Sequence, residues 1–218
     1  MRLLTWNILH GGGPRRVPAI ALALLEHNAD AIVLTEWRRN RGGQLAAVLA
    51  DHGWSHQIDS SPKPGQNGVL IASKPPALPD PSTAPTHHRL ATLALAGGLN
   101  IVGLHVPPEP GSTANNTVWA HAMGLARKRQ SLPTVIIGDF NAGKLKADGP
   151  CPASQRAQLG RLLSLGYVDA WRHIHPAASE HSWMDRTGRS SRVDLALVSA
   201  PLAGTITKAW HDPKPIEL

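Results

Sequence analysis

The sequence predicts an α/β or layered α+β domain, and three observations carry that prediction. Short runs rich in Val, Ile and Leu alternate with stretches of helical periodicity along the chain. The 218 residues, 42% of them hydrophobic, lie within or just above the usual size of one domain and are enough to bury a two- or three-layer core. Polar residues capable of chemistry fall in or just beyond the apolar runs, where open sheets of this class gather their ligands. A single domain over residues 1–218 is therefore expected, with no internal repeat and no low-complexity segment.

The elements follow in order. Leu3 to Leu9 reads as a first strand, ended by the flexible turn Gly11-Gly12-Gly13-Pro14 and followed by an amphipathic helix from Val17 to Glu26. Ala31 to Thr35 is a buried strand with Glu36 at its end, and Gln44 to Asp51 reads as a helix. Trp54 to Ile58 and Asn67 to Ser73 pair as strands across a loop whose two prolines and glycine forbid regular structure. The proline-rich stretch Pro75 to Pro85 reads as a surface connection. Strands are expected at Leu90 to Leu95, Leu99 to Val106 and Thr134 to Gly138, with a helix from Thr113 to Lys128 capped by Ser112. Gln155 to Leu165 is helical, and strands at His181 to Met184 and Arg192 to Val198 complete the pattern.

Composition narrows the partners. Twenty-two Lys and Arg against 15 Asp and Glu leave a net charge of +7, which favours an anionic partner such as nucleic acid or a phosphorylated small molecule. An Arg-rich chain is equally produced by coding bias, so the charge alone does not decide. Cys151 is the only cysteine, which excludes an internal disulfide and a Cys-based metal site and points to a reducing, cytoplasmic home. The N-terminal segment lacks the apolar core of a signal peptide, and no apolar run reaches the roughly 18 residues needed to span a bilayer.

Asn7, Glu36, His105, Asp139 and Asn141 lie in or just beyond strands, and Asp194 lies inside one, so the six are expected to converge on one cleft. Taken singly each is weak, because an acid after a strand is also a common turn residue. Together they suit phosphoester chemistry. Hard carboxylate and amide oxygens favour Mg²⁺, with Mn²⁺ as a substitute, and Glu36 helped by Asn7 suffices as the primary metal site. Lys63, Arg89, Lys144 and Lys146 stand in loops suited to phosphate contact. Trp6 and Trp183 read as packing residues.

The ordered set Thr5-Trp6-Asn7, Leu34-Thr35-Glu36, Asn67-Gly68-Val69, Gly103-Leu104-His105, Gly138-Asp139-Phe140-Asn141 and Ser191-Arg192-Val193-Asp194 resembles the endonuclease/exonuclease/phosphatase family, with its DNase I-like fold. The resemblance runs from the first strand to about Ser199 and implies a four-layer sandwich, two packed mixed β-sheets flanked by helices, with the site at one edge. It implies Glu36 as main metal ligand and Asn7 as a contact to metal or phosphate. Asp139 would orient and deprotonate the attacking water, Asn141 would hold that water or a non-bridging oxygen, and His105 would donate a hydrogen bond to the phosphate. Asp194 completes the catalytic set. Asn67 and Arg192 are candidate substrate contacts, although Asn67 before Gly68 equally fits a turn and Arg192 equally fits a surface cation.

Three departures from the family pattern stand out. A Ser-Asp-His triplet near the C-terminus would supply a histidine to pair with Asp194, together with a last core strand; neither is found, and His211-Asp212 has the wrong order and lies too early. Leu9 stands where some nuclease branches carry an aspartate, and Ala142-Gly143-Lys144 does not follow the pattern of abasic-site endonucleases. The expected activity is Mg²⁺-dependent hydrolysis of phosphodiesters, in nucleic acid first, by a monomer. Inositol phosphates or phospholipid headgroups are the alternative substrates, and a binding module with impaired catalysis is the alternative role.

Overall fold

The computed structural model describes residues 1–79 and 87–212. Its strands are β1 (Leu3–Asn7), β2 (Ala31–Trp37), β3 (His56–Asp59), β4 (Gly68–Ser73), β5 (Ala77–Pro79), β6 (Leu90–Leu95), β7 (Asn100–His105), β8 (Thr134–Asp139), β9 (Val168–Asp169), β10 (Trp183–Met184), β11 (Ser190–Ser191) and β12 (Asp194–Val198). Its helices are α1 (Val17–His27), α2 (Arg39–Asp51), α3 (Thr113–Arg129), α4 (Ala153–Ser164), α5 (Ala170–Ile174) and α6 (Ala200–Ala203).

Two mixed sheets face each other, one ordered β1-β2-β4-β3 and the other β5-β6-β7-β8-β12-β9, while β10 and β11 form a separate hairpin. The period of two explains the layering. Ala31, Val33, Val69, Ile71, Ile101, Val135 and Ile137 point into the space between the sheets. The intervening residues Ile32, Leu34 and Leu70 face Ile20, Leu24, Leu45 and Leu49 of α1 and α2. On the outer side of the second sheet, Val102, Leu104 and Ile136 meet Val118, Trp119 and Ala122 of α3 and Leu159 and Leu162 of α4. The result is the expected α/β/β/α four-layer sandwich. Strands covered on both faces read as continuous apolar runs, which is why β2, β4 and β8 were legible.

Element ends moved where local chemistry overrode periodicity. β1 stops at Asn7 because Leu9 and His10 adopt left-handed φ values of 52° and 57° and turn the chain. Helix α2 starts at Arg39, five residues before the expected Gln44, in spite of Gly42 and Gly43. Packing explains it: a Cβ on Gly42 would lie 2.1 Å from the Trp37 ring, so the glycine lets helix and strand touch. The Ser112 cap holds as expected, its Oγ accepting the Asn115 N–H at 3.2 Å, and Arg127, Lys128 and Arg129 suit the negative end of the α3 dipole. Part of the supposed surface connection, Ala77–Pro79, is an edge strand; positions 80–86 of it lie outside the described residues. Short elements such as β9 and α5 carry too few residues to show a period.

Candidate active site

Strand register brings the polar residues to one end of the sandwich. In the second sheet, His105 of β7 and Asp194 of β12 both pair with Asp139 of β8, so three titratable groups stand side by side. Gly138 permits this tight alignment, since a Cβ there would lie 2.0 Å from the Leu104 carbonyl oxygen. Across the gap between the sheets, Asn7 at the end of β1 donates from Nδ2 to Asp139 Oδ2 at 3.0 Å and to Glu36 Oε1 at 3.3 Å. Glu36 is the extra residue of a bulge, set between the Thr35↔Val69 and Trp37↔Gly68 pairs with φ of 55°. Bulges re-aim side chains beside active sites, and a non-glycine residue in this region is strained. Asn141, also left-handed at 46°, donates its N–H to Asp139 Oδ1 at 3.0 Å and its Nδ2 to the Val106 carbonyl at 2.8 Å. The six residues expected to converge do so.

The electrostatics follow from burial and from the company each group keeps. Burial, then the charge of Asp194, pushes Asp139 up to about 8 against hydrogen bonds from Asn7 and Asn141 that favour its charged form. Burial also pushes Asp194 up to about 6, although a hydrogen bond from Ser182 and the charge of His211 act the other way. His105 is held down to about 3 by burial and by the nearby Arg89 guanidinium, so it is neutral at physiological pH. Arg89 Nη1 lies 3.0 Å from His105 Nδ1. The same Nη1 lies 3.3 Å from Nε2, and since arginine only donates, the ring nitrogen that it meets is the acceptor and the other carries the proton.

Several residues at this end escaped the sequence reading. His10 donates its backbone N–H to Glu36 Oε2 at 2.9 Å and sets its ring Nδ1 2.8 Å from the same oxygen. Arg38 Nε reaches Asn67 Oδ1 at 2.7 Å, which ties Asn67 to the rim beside His10. No periodic signal marks His10 or Arg38; each follows the end of a strand. Arg89, chosen from the sequence only as a loop cation, is half-buried and feels the charges of Glu36, Glu109 and Asp139. Its Nε is closed off from solvent and has no hydrogen-bond partner among the described residues. Lys63, Lys144 and Lys146 are exposed.

Two expectations are corrected. Arg192 is neither a surface cation nor placed to touch substrate: it is fully buried, with Nε 2.9 Å from Asp148 Oδ1 and Nη2 2.6 Å from Asp169 Oδ2. It lies between β11 and β12, held by its two aspartates, and stacks 4.9 Å from the centre of the Trp171 ring. Trp183 is not a packing residue. It is 51% exposed, beside Met184 at 67%, on the β10–β11 hairpin. Trp6 does pack, against the helix-facing core of the first sheet.

The donor set suits a hard divalent cation. Asn7 bridges Glu36 and Asp139 through its amide, and turning that amide over would present Oδ1 alongside two carboxylates, an all-oxygen set. Three acids, Glu36, Asp139 and Asp194, share this end of the sheets, and the first and last both repel Asp139. Among the described residues no group of three or more His, Cys, Asp or Glu is arranged to hold a metal alone. A cation here would complete its shell with water and substrate oxygens, as Mg²⁺ does.

Known proteins share this fold. The chain is 23% identical to exodeoxyribonucleases of Streptococcus pneumoniae strains TIGR4 and R6, in alignments covering 96% of this chain and 93% of theirs. Its fold matches a Neisseria 3′ phosphatase, NExo, bound to a product DNA hairpin, with a TM-score of 0.78 and 22% identity over 94% of this chain and 88% of that one. It also matches the 3′–5′ exonuclease NExo of Neisseria meningitidis, with a TM-score of 0.77 and 24% identity over 94% and 89% of the two chains. An AP endonuclease from Archaeoglobus fulgidus gives a TM-score of 0.77 and 22% identity over 94% and 88%. The profile of the Endonuclease/Exonuclease/phosphatase family matches residues 4–215, and the chain belongs to that family of phosphoester hydrolases.

Proposed function

We propose that this protein is a Mg²⁺-dependent phosphodiesterase acting on nucleic acid, with Asp139 at the centre of its chemistry. The observation that carries the reading is the convergence of Asn7, Glu36, His105, Asp139, Asn141 and Asp194 at one end of the two sheets. Glu36 and Asn7 would hold the cation, which when bound supplies positive charge to a phosphate oxygen. Asp139, raised as a base and fixed by the Asn141 N–H, takes a proton from the attacking water. His105 donates its ring N–H to a non-bridging oxygen, and Arg89 beside it adds a fixed cation where equatorial charge builds. Asn141 steadies the water or a phosphate oxygen, and Asn67 contacts the strand at the rim. The net charge of +7 and the exposed Trp183 beside Arg186 and Arg189 support a polyanion carrying bases over a small phosphate ester.

The test is hydrolysis of linear and plasmid DNA, bis-p-nitrophenyl phosphate, inositol phosphates and phospholipid headgroups, each with Mg²⁺, Mn²⁺ or EDTA. DNA cleavage abolished by EDTA and by Asp139→Asn is expected. Cleavage that survives EDTA would sink the mechanism, and turnover of inositol phosphates in preference to DNA would replace the substrate. A folded protein that binds DNA and cleaves none of the panel would instead be the binding module.

A further inference from the structure

We infer that His10 is the positioning residue of the cation site: its ring and its backbone N–H together hold Glu36 Oε2, which leaves Oε1 to face the cation. The inference rests on the proposed role of Glu36 as metal ligand. The carboxylate is divided between two sides of the site. Oε1 faces inward, 3.3 Å from Asn7 Nδ2, which also reaches Asp139. Oε2 faces the rim, where it accepts the His10 N–H at 2.9 Å and meets His10 Nδ1 at 2.8 Å. The Glu36 side chain is only 14% exposed, so the grip of His10 decides how the carboxylate is presented.

Both partners stand on backbone that most residues avoid. Glu36 has φ of 55° on its bulge, and His10 has φ of 57° in the turn after β1. Non-glycine residues persist in this region only where the surroundings over-determine them. The turn is held in that way from two sides. Arg16 donates from Nε to the Gly12 carbonyl at 2.8 Å, and from Nη2 to the Ile8 carbonyl at 3.3 Å and to that of Leu9. Opposite it, Gly11 presses so close that a Cβ would lie 3.0 Å from Arg38 Cβ. What this braced turn presents to Glu36 is the N–H and the ring of His10. The ring nitrogen has other neighbours: Arg38 Nη2 at 3.0 Å, and Asn67 Nδ2 and Oδ1 at 3.2 and 3.3 Å. A lone pair on Nδ1 would set ring and carboxylate acceptor to acceptor at 2.8 Å, whereas a proton there bonds them. Arg38 then keeps its Nε on Asn67 Oδ1 at 2.7 Å and turns Nη2 to water at the exposed rim. Hydrogen bonds that orient a metal-ligating carboxylate are worth about 10- to 100-fold in metal affinity.

The experiment titrates Mn²⁺, read by its paramagnetic resonance, into the wild type, His10→Gly, His10→Asn and Glu36→Gln, each confirmed as folded by circular dichroism. His10→Gly removes the ring, keeps the backbone N–H and accepts the left-handed φ. His10→Asn puts an amide nitrogen where Nδ1 stood, since both atoms are bonded to Cγ, and asparagine also tolerates that backbone. Expected is a Kd for Mn²⁺ raised about 10- to 100-fold in His10→Gly, restored to within about threefold in His10→Asn, with saturable binding lost in Glu36→Gln. Hydrolysis by His10→Gly should fall at limiting Mg²⁺ and recover at saturating Mg²⁺. A Kd for His10→Gly within twofold of the wild type overturns the inference. So does a Kd for His10→Asn as weak as that of His10→Gly, which would mean that the ring acts by its bulk. A nitrogen bonded directly to Mn²⁺ in the wild-type spin-echo spectrum and lost in His10→Gly overturns it too, by making His10 a ligand. If Glu36→Gln binds Mn²⁺ as the wild type does, or the wild type binds none, the metal reading falls and the inference with it. If the wild type binds Mn²⁺ and cleaves no phosphodiester, the functional reading falls alone, and the Mn²⁺ affinities still decide the role of His10.

Discussion

Asp139 and Asp148 are both buried carboxylates, and they are opposites. Burial works to raise each of them. At Asp148 it is outweighed by a hydrogen bond from Arg192, by the Leu145 N–H, by the Arg192 charge and by a hydrogen bond from Arg172, so the group ends below the ordinary carboxylate range. Oδ2 accepts the N–H groups of Lys144 and Leu145 at 2.9 and 2.8 Å, and Oδ1 takes both guanidiniums. Asp139 receives only neutral donors, Asn7 and the Asn141 N–H, and faces two further acids, so it ends near 8. Burial does not separate a structural acid from a functional one; what separates them is whether the fold neutralises the charge it has buried. In one region the buried charge is balanced by the chain's own cations, and in the other it faces further acids.

The largest expected effect tests that distinction directly. Asp139→Asn should lower the rate of phosphodiester hydrolysis by roughly 10²- to 10⁴-fold while leaving the metal-free protein at least as stable, because it removes an uncompensated buried charge. Asp148→Asn should do the reverse. It leaves Arg192 and Arg172 in the interior with half their anions, a loss of about 3–5 kcal/mol seen as a lowered urea midpoint, with activity per folded molecule largely kept. An Asp148→Asn protein of normal stability and no activity would place that network inside the catalytic machinery.

The two regions also differed in how far the sequence revealed them. Asn7, Glu36, His105, Asp139 and Asp194 sit at strand ends or beginnings, where apolar runs make a polar residue conspicuous, and register does the rest. The ion network was invisible because Asp148 lies in a 3₁₀ turn, Asp169 in a two-residue strand and Arg172 in a five-residue helix, none long enough to show a period. Arg192 has no local signal for a related reason: a charged residue near a site acid suggests substrate, and only the distant Asp148 and Asp169 draw it inward. The bulge at Glu36 and the packing that admits Gly42 into α2 are tertiary effects with no local signal.

A smaller effect is expected on the rim. Trp183 is 51% exposed and sits immediately after Ser182, whose Oγ accepts the Asp194 N–H. Trp183→Ala should weaken binding of single-stranded DNA by about 1–3 kcal/mol, the worth of one stacked base, with thermal stability and turnover of bis-p-nitrophenyl phosphate unchanged. Equal loss on the small substrate would show that the hairpin supports Asp194 and does not bind the strand.

The pH dependence of stability separates the uncompensated acid from the neutral histidine beside it. Asp139 has a folded pKa near 8 against an ordinary 3.8, so its contribution is full below about pH 4 and is lost as pH rises through 8. His105 runs the other way, from an ordinary 6.5 to about 3, so its contribution is full above 6.5 and is lost as pH falls through 3. Each acts with a slope of at most about 1.4 kcal/mol per pH unit. Between pH 4 and 6.5 the two oppose each other and the profile flattens; from 6.5 to 8 the Asp139 term acts without that counterweight. Metal-free protein followed by urea unfolding should therefore lose stability over that last window, Asp139→Asn should abolish the decline, and Mg²⁺ should reduce it by supplying the missing positive charge. A decline that persists unchanged in Asp139→Asn would mean that the unneutralised charge lies elsewhere in the fold.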